Sequence, residues 1–91
     1  MFYSRQGEYK KAEDYLLRAM DILTKQGDDY AVTQYMIEYA GILQHKGEIK
    51  KAIASATTSF HYATKNNIIE FERDAAYRLA QLYQVSGKYD S

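Results

Sequence analysis

The sequence predicts an all-α fold: antiparallel helix-turn-helix repeats, about four helices in all, stacked as an α-solenoid. Three observations carry this. The phrase Gly7-Glu8-Tyr9-Lys10-Lys11-Ala12 returns as Gly47-Glu48-Ile49-Lys50-Lys51-Ala52 and, degraded, as Gly87-Lys88-Tyr89-Asp90-Ser91, at a spacing of 40 residues each time. A fixed period of this length marks units that bury their apolar faces only against their neighbours. Between the phrases the apolar residues keep helical periodicity, and no segment shows the period-2 alternation of a strand. Proline is absent, and Gly7, Gly27, Gly47 and Gly87 all fall at candidate turns.

Residues 1–6 read as the stub of an earlier helix, ended by Gly7. A helix over 8–26 follows, because Tyr9, Ala12, Leu16, Ala19 and Leu23 step by three and four residues and keep one face apolar. Lys25-Gln26-Gly27-Asp28-Asp29 stops it, with a basic last turn, a glycine for the left-handed position and an aspartate to cap the next helix. The second helix, 28–46, carries Val32, Tyr35/Met36, Tyr39/Ala40 and Leu43, and ends at Lys46-Gly47-Glu48. The third, 48–66, repeats the steps of the first with Ile49, Ala52, Ala56, Ser59 and Ala63. Lys65-Asn66-Asn67 closes it, with Asn taking the conformation that Gly takes elsewhere. The fourth, 68–86, carries Ala75/Ala76, Leu79/Ala80 and Tyr83, and a turn is expected at Ser86-Gly87-Lys88. Aligning 7–46 on 47–86 gives nine identities, among them Ala12/Ala52 and Ala40/Ala80, small residues placed where two helices approach closely. The chain breaks off inside the third copy of the phrase. We therefore read 1–91 as a single domain cut from a longer array, whose end faces pair with another copy.

Composition narrows the function classes. Hydrophobic residues make up 46% and charged residues 26%, a globular mix. Twelve Lys+Arg balance 12 Asp+Glu, which argues against nucleic acid as a partner, since that affinity comes from clustered basic charge. No apolar run approaches the length of a membrane span. Cysteine is absent, so there is neither a disulfide framework nor a thiolate metal site, and a reducing, cytoplasmic setting is expected. Met1-Phe2-Tyr3-Ser4-Arg5 lacks the apolar core of a signal peptide.

Gly7, Tyr9, Ala12, Leu16 and Ala19, and again Ala80, Tyr83, Gly87 and Tyr89, resemble the tetratricopeptide repeat in order and spacing. The likeness covers essentially the whole chain. Its departures are a period of 40 instead of the usual ~34, the missing proline after the second helix of the unit, and Met36 or Ala76 in place of the consensus tryptophan. Forty-residue variants resemble the sensory portions of bacterial multidomain regulators, kinases or cyclases. Less specifically, the chain is similar to intracellular receptors for short signalling peptides.

The resemblance implies that the first helix of each unit lines a concave face. Its candidates here are Gln34, Ile37, Glu38, Gly41, Gln44 and His45 on the second helix, and Asp74, Tyr77, Arg78, Gln81 and Gln84 on the fourth. Gln and Arg can bond the backbone of a bound protein or peptide segment, and Tyr77 offers an apolar wall with a hydroxyl tip. The same residues would equally serve as the solvated stripe of two amphipathic helices. The lysine–asparagine clamp by which some members hold a terminal carboxylate is not reproduced, because Ile37 and Gly41 occupy two of its positions. Tyr9, Tyr39 and Tyr83 are expected on the core stripes, and Met20, Phe60 and Phe71 in the core or against a neighbouring repeat outside this sequence.

No enzyme, cofactor or metal is expected. His45 and His61 lack partners at metal-motif spacing, there is no glycine-rich phosphate loop, and the hydroxyls of Ser55, Thr57, Thr58 and Ser59 are placed to bond back to the preceding helical turn. The expected function is a protein- or peptide-binding repeat, the sensory or scaffold part of a larger bacterial signalling protein. The alternatives are a self-associating spacer or part of a peptide-pheromone receptor.

Overall fold

In a computed structural model, residues 5–90 are described, with side chains for 7–87. They form α1 (Arg5–Lys25), α2 (Asp29–His45), α3 (Ile49–Lys65) and α4 (Ile69–Asp90). Every described residue outside these helices lies in one of three short turns, so the all-α prediction holds.

The three turns are alike and sit 20 residues apart. Gly27 (φ +77°), Gly47 (φ +84°) and Asn67 (φ 57°) take the left-handed conformation. In each, the next amide reaches back to close the helix end: Asp28 N donates to Leu23 O, Glu48 N to Leu43 O and Ile68 N to Ala63 O, each at 2.9 Å. These are six-to-one bonds that satisfy carbonyls left over at a helix terminus. Asp28 then caps α2, its Oδ1 accepting from Ala31 N at 3.1 Å.

Two expected turns are absent. Gly7 lies inside α1, which starts at Arg5, so residues 5–6 extend that helix and are no stub of another; residues 1–4 lie outside the described part. Gly87 likewise continues α4 as far as Asp90. At the three real turns a full helix follows and packs back, fixing the reversal. Beyond Gly87 no further helix is described, and α4 continues through it.

α2 lies at the centre of the packing, against α1, α3 and α4, and α3 packs on α4; among the described residues the α1 backbone approaches only α2. Ala40 and Leu43 of α2, Ala52 and Ala56 of α3, and Leu82 of α4 form the core cluster, with Tyr39, Ile49, Ile53 and Leu79 around it. The alanines allow the backbones to come close, and Ser55 exploits this: its Oγ donates to Met36 O across the α2–α3 seam at 2.9 Å. That hydroxyl does not bond back within its own helix as expected, whereas Ser59 does, to Ser55 O at 2.9 Å. Phe71 is buried and its ring meets Tyr30 at 4.8 Å between centroids, tying the start of α2 to α4.

The stripe on α3 is fully buried at Ala52, Ala56, Ser59 and Ala63, but on α1 only Leu16 is buried, while Tyr9, Ala12, Ala19 and Leu23 are half-exposed. Met20 and Phe60 are also half-buried. Tyr83 corrects the expectation more sharply, being 59% exposed and not in the core. Ala76 and Ala80 lie exposed on the same α4 face. The physical reason is common to both ends: among the described residues the α1 backbone approaches α2 alone, and no described helix covers that face of α4.

A candidate protein-binding groove

α1 is fastened to α2 by polar contacts around Glu13. Lys46 Nζ lies 2.7 Å from Glu13 Oε1 and 3.3 Å from Glu48 Oε2. Tyr39 Oη donates to Glu13 Oε2 at 3.2 Å, and Lys51 adds a 3.4 Å pair with Glu48. The hydrogen bond from Lys46 holds the Glu48 carboxyl below the ordinary glutamate value of 4.5. The bond to Glu13 raises Lys46 above 10.5. Burial, and then the neighbouring Glu13 charge, raises the Tyr39 phenol above 10.0.

These directions fix the pH dependence of stability. A lowered carboxylate contributes above its unfolded value and loses that contribution as pH falls through the folded one. The raised Lys46 and Tyr39 contribute fully below their unfolded values and lose it as pH rises through the folded ones. Urea midpoints should therefore be flat from about pH 5 to 9 and fall on both sides. In Lys46→Met the alkaline fall should shrink, leaving only the Tyr39 part. An unchanged alkaline limb would contradict this assignment.

Beside this seam, between α1 and α2, runs an open groove of ≈ 530 Å³. Ala12, Tyr15 and Leu16 of α1 form one wall, and Glu38, Gly41, Ile42 and His45 of α2 form the other. The α2 residues fall three or four apart and so share one helix face. The His45 ring stacks on Tyr9 of α1, centroids 5.2 Å apart and planes 11° from parallel. Arg78 reaches in from α4. A Cβ at position 41 would stand 3.2 Å from Arg78 Nη2, so glycine lets the guanidinium lie against α2 without shifting. Arg78 Nη1 donates to Gln44 Oε1 at 3.0 Å and to Gln81 Oε1 at 3.3 Å. Its Nε is buried without a partner, and no carboxylate pairs with the guanidinium among the described residues.

Six of the residues expected on a concave face are thus brought together: Glu38, Gly41, Gln44, His45, Arg78 and Gln81. Gly41 is buried under the arginine, and Gln44 and Gln81 act as its acceptors. Tyr77 stands 65% exposed outside the groove. Gln34, Asp74 and Gln84 are exposed on their helices, and Ile37 is half-buried; none of these lines the groove. The α1 wall and Ile42 were not anticipated. The signal was present, since Tyr15 lies between two stripe residues of a helix and Ile42 shares the face of Glu38 and His45.

Among the described residues, no three His, Asp or Glu side chains are grouped to hold a metal ion, and no helix is long and apolar enough to cross a membrane. Comparison with known protein families, with curated proteins and with solved structures finds no match.

Proposed function

We propose that this chain is a tetratricopeptide-type helical-repeat module that holds a segment of a partner protein in the groove between α1 and α2. The repeat arrangement is supported by the turns at 20-residue spacing, by α2 meeting α4 as well as α3, and by the alanine seam that the returning phrase positions. In a larger protein such a unit would serve as a sensory or scaffold part.

One observation carries the binding reading. Arg78 is a half-buried cation bordering a largely apolar groove that also holds Glu38; two amides fix it, its Nε is unpartnered, and it makes no ion pair with a carboxylate among the described residues. A cation left this way in a folded chain calls for an explanation. Nε lies too deep for a ligand to reach, but the part of the guanidinium that lines the groove can donate to a carboxylate or carbonyl of a bound segment, and hydrogen bonds to charged groups are stronger than neutral ones. The amides of Gln44 and Gln81 preorganise the guanidinium, so little rotamer entropy is lost on binding.

Peptides selected from a random displayed library against this chain test the reading. Arg78→Gln should weaken the selected peptides about tenfold or more, the effect of losing a charged hydrogen bond of ~1.5–3 kcal/mol. The Tyr77→Ala change, outside the groove, should matter much less. Equal binding by the wild type and Arg78→Gln would remove the basis for placing the site here.

A further inference from the structure

The 40-residue period says what shape of segment this groove fits. Adding 40 to Ala12, Tyr15, Leu16 and Ile42 gives Ala52, Ser55, Ala56 and Leu82; adding it to Glu38 gives Arg78. Those second-copy residues form the surface on which α2 sits. Ala40 and Leu43 of α2 cluster with Ala52, Ala56 and Leu82. Ser55 bonds Met36 O, and Arg78 bonds Gln44. The groove on α1 and α2 is therefore the same seat, with no helix in it among the described residues.

The chain also carries a second helix of the α2 kind. α4 presents Ala76, Ala80, Tyr83 and Gln84 where α2 has Met36, Ala40, Leu43 and Gln44, and all four α4 residues are exposed. We propose that α4 of one copy docks into the α1–α2 groove of another, repeating between molecules the packing that α2 makes on α3 and α4 within one. This rests on the reading of the groove as a site for a protein segment, and it identifies that segment.

The differences between the two copies compensate. Inside the molecule a small Ser55 meets the backbone of a large Met36; at the docked seam a large Tyr15 meets a small Ala76. Gln44 accepts from the Arg78 guanidinium, and its equivalent Gln84 has an amide N–H₂ to donate to Glu38, because an amide can act in either sense. Tyr15 and Tyr83, 65% and 59% exposed, are both covered by docking. The seat and the inserted helix lie at opposite ends of the chain, so the contact is heterologous, and copies add head to tail without a fixed stopping number.

Sedimentation equilibrium of the whole chain tests this. The average mass should rise with concentration and pass that of two chains. Ala80→Arg spoils only the inserted helix and Tyr15→Arg only the seat. Both sites are exposed, and arginine is a good helix former, so helicity should be kept. Each variant alone should be monomeric where the wild type associates. Mixed one to one, they should form a species of two chains, since each retains one working end. A monomeric wild type up to millimolar concentration would overturn the proposal, as would a mixture that stays monomeric or variants that associate like the wild type. Library-selected peptides separate this from the broader reading: binding to Ala80→Arg but not Tyr15→Arg leaves the groove standing as a site even if the chains never associate.

Discussion

Leu43→Ala is expected to lower the free energy of unfolding by about 2–5 kcal/mol, the range for emptying a packed leucine site. Leu43 is 1% exposed and sits on α2, the helix that touches all three others. Its loss leaves a hole among Ala40, Ala52, Ala56 and Leu82. The alanines have no side-chain length with which to refill it, so the effect belongs near the upper end. A domain of this size has on the order of 5–10 kcal/mol to lose, so the variant should be partly unfolded on mild warming. Urea titration followed by helical circular dichroism reads the difference. A loss under about 1 kcal/mol would mean that α2 is not the centre of the packing.

The second large effect is in the opposite direction of volume. Ala56→Leu inserts a branched side chain where the surface is fully covered, at 0% exposure. Overpacking of this kind costs about 1–3 kcal/mol. It should also push α2 away from α3, stretch the Ser55 bond to Met36 and separate Gly41 and Gln44 from Arg78. Affinity for a groove ligand and stability should then fall together. Ala54→Leu is the control. Ala54 is exposed on the same helix, and its replacement should change stability by no more than about 0.5 kcal/mol. Residue 16, the equivalent of 56 one period earlier, is already leucine. The first copy has room for the larger side chain because, among the described residues, the α1 backbone approaches α2 alone.

Much of the helical framework was legible because it is encoded locally. Left-handed positions need Gly or Asn, and Gly27, Gly47 and Asn67 mark the turns without reference to the rest of the chain. The stripe Ala52, Ala56, Ser59, Ala63 is helical in period and buried in fact. What could not be read locally was which glycines turn. Gly7 and Gly87 carry the same phrase as Gly47, yet a reversal is seen only where a described helix packs on each side of the turn. Exposure failed for the same reason. Tyr83 and Ala80 have the pattern of core residues, but pattern names the face that seeks a partner and does not supply one.

The candidate site was half legible. Arg78, Gln44, Gln81, Gly41, Glu38 and His45 were drawn together from a resemblance in helix order. The α1 wall was missed because α1 belongs to the other half of the repeat, and its Ala12 and Leu16 fall on the apolar stripe expected to be core. Tyr15 shows how the chemistry diverged. Its equivalent Ser55 donates a hydrogen bond in a tight seam, while Tyr15 stands open to solvent. The two stand at the same position of the two copies, one covered by α2 and the other exposed.

The central claim is that the α1–α2 groove is where this chain meets other proteins. Amide chemical shifts of the ¹⁵N-labelled chain, recorded as library-selected peptides are added, test it most directly. The largest changes should cluster at Ala12, Tyr15, Glu38, Gly41, His45 and Arg78. Changes concentrated on the exposed face of α3, at Lys50, Ala54, Thr58 and His61, with the groove residues unmoved, would contradict it.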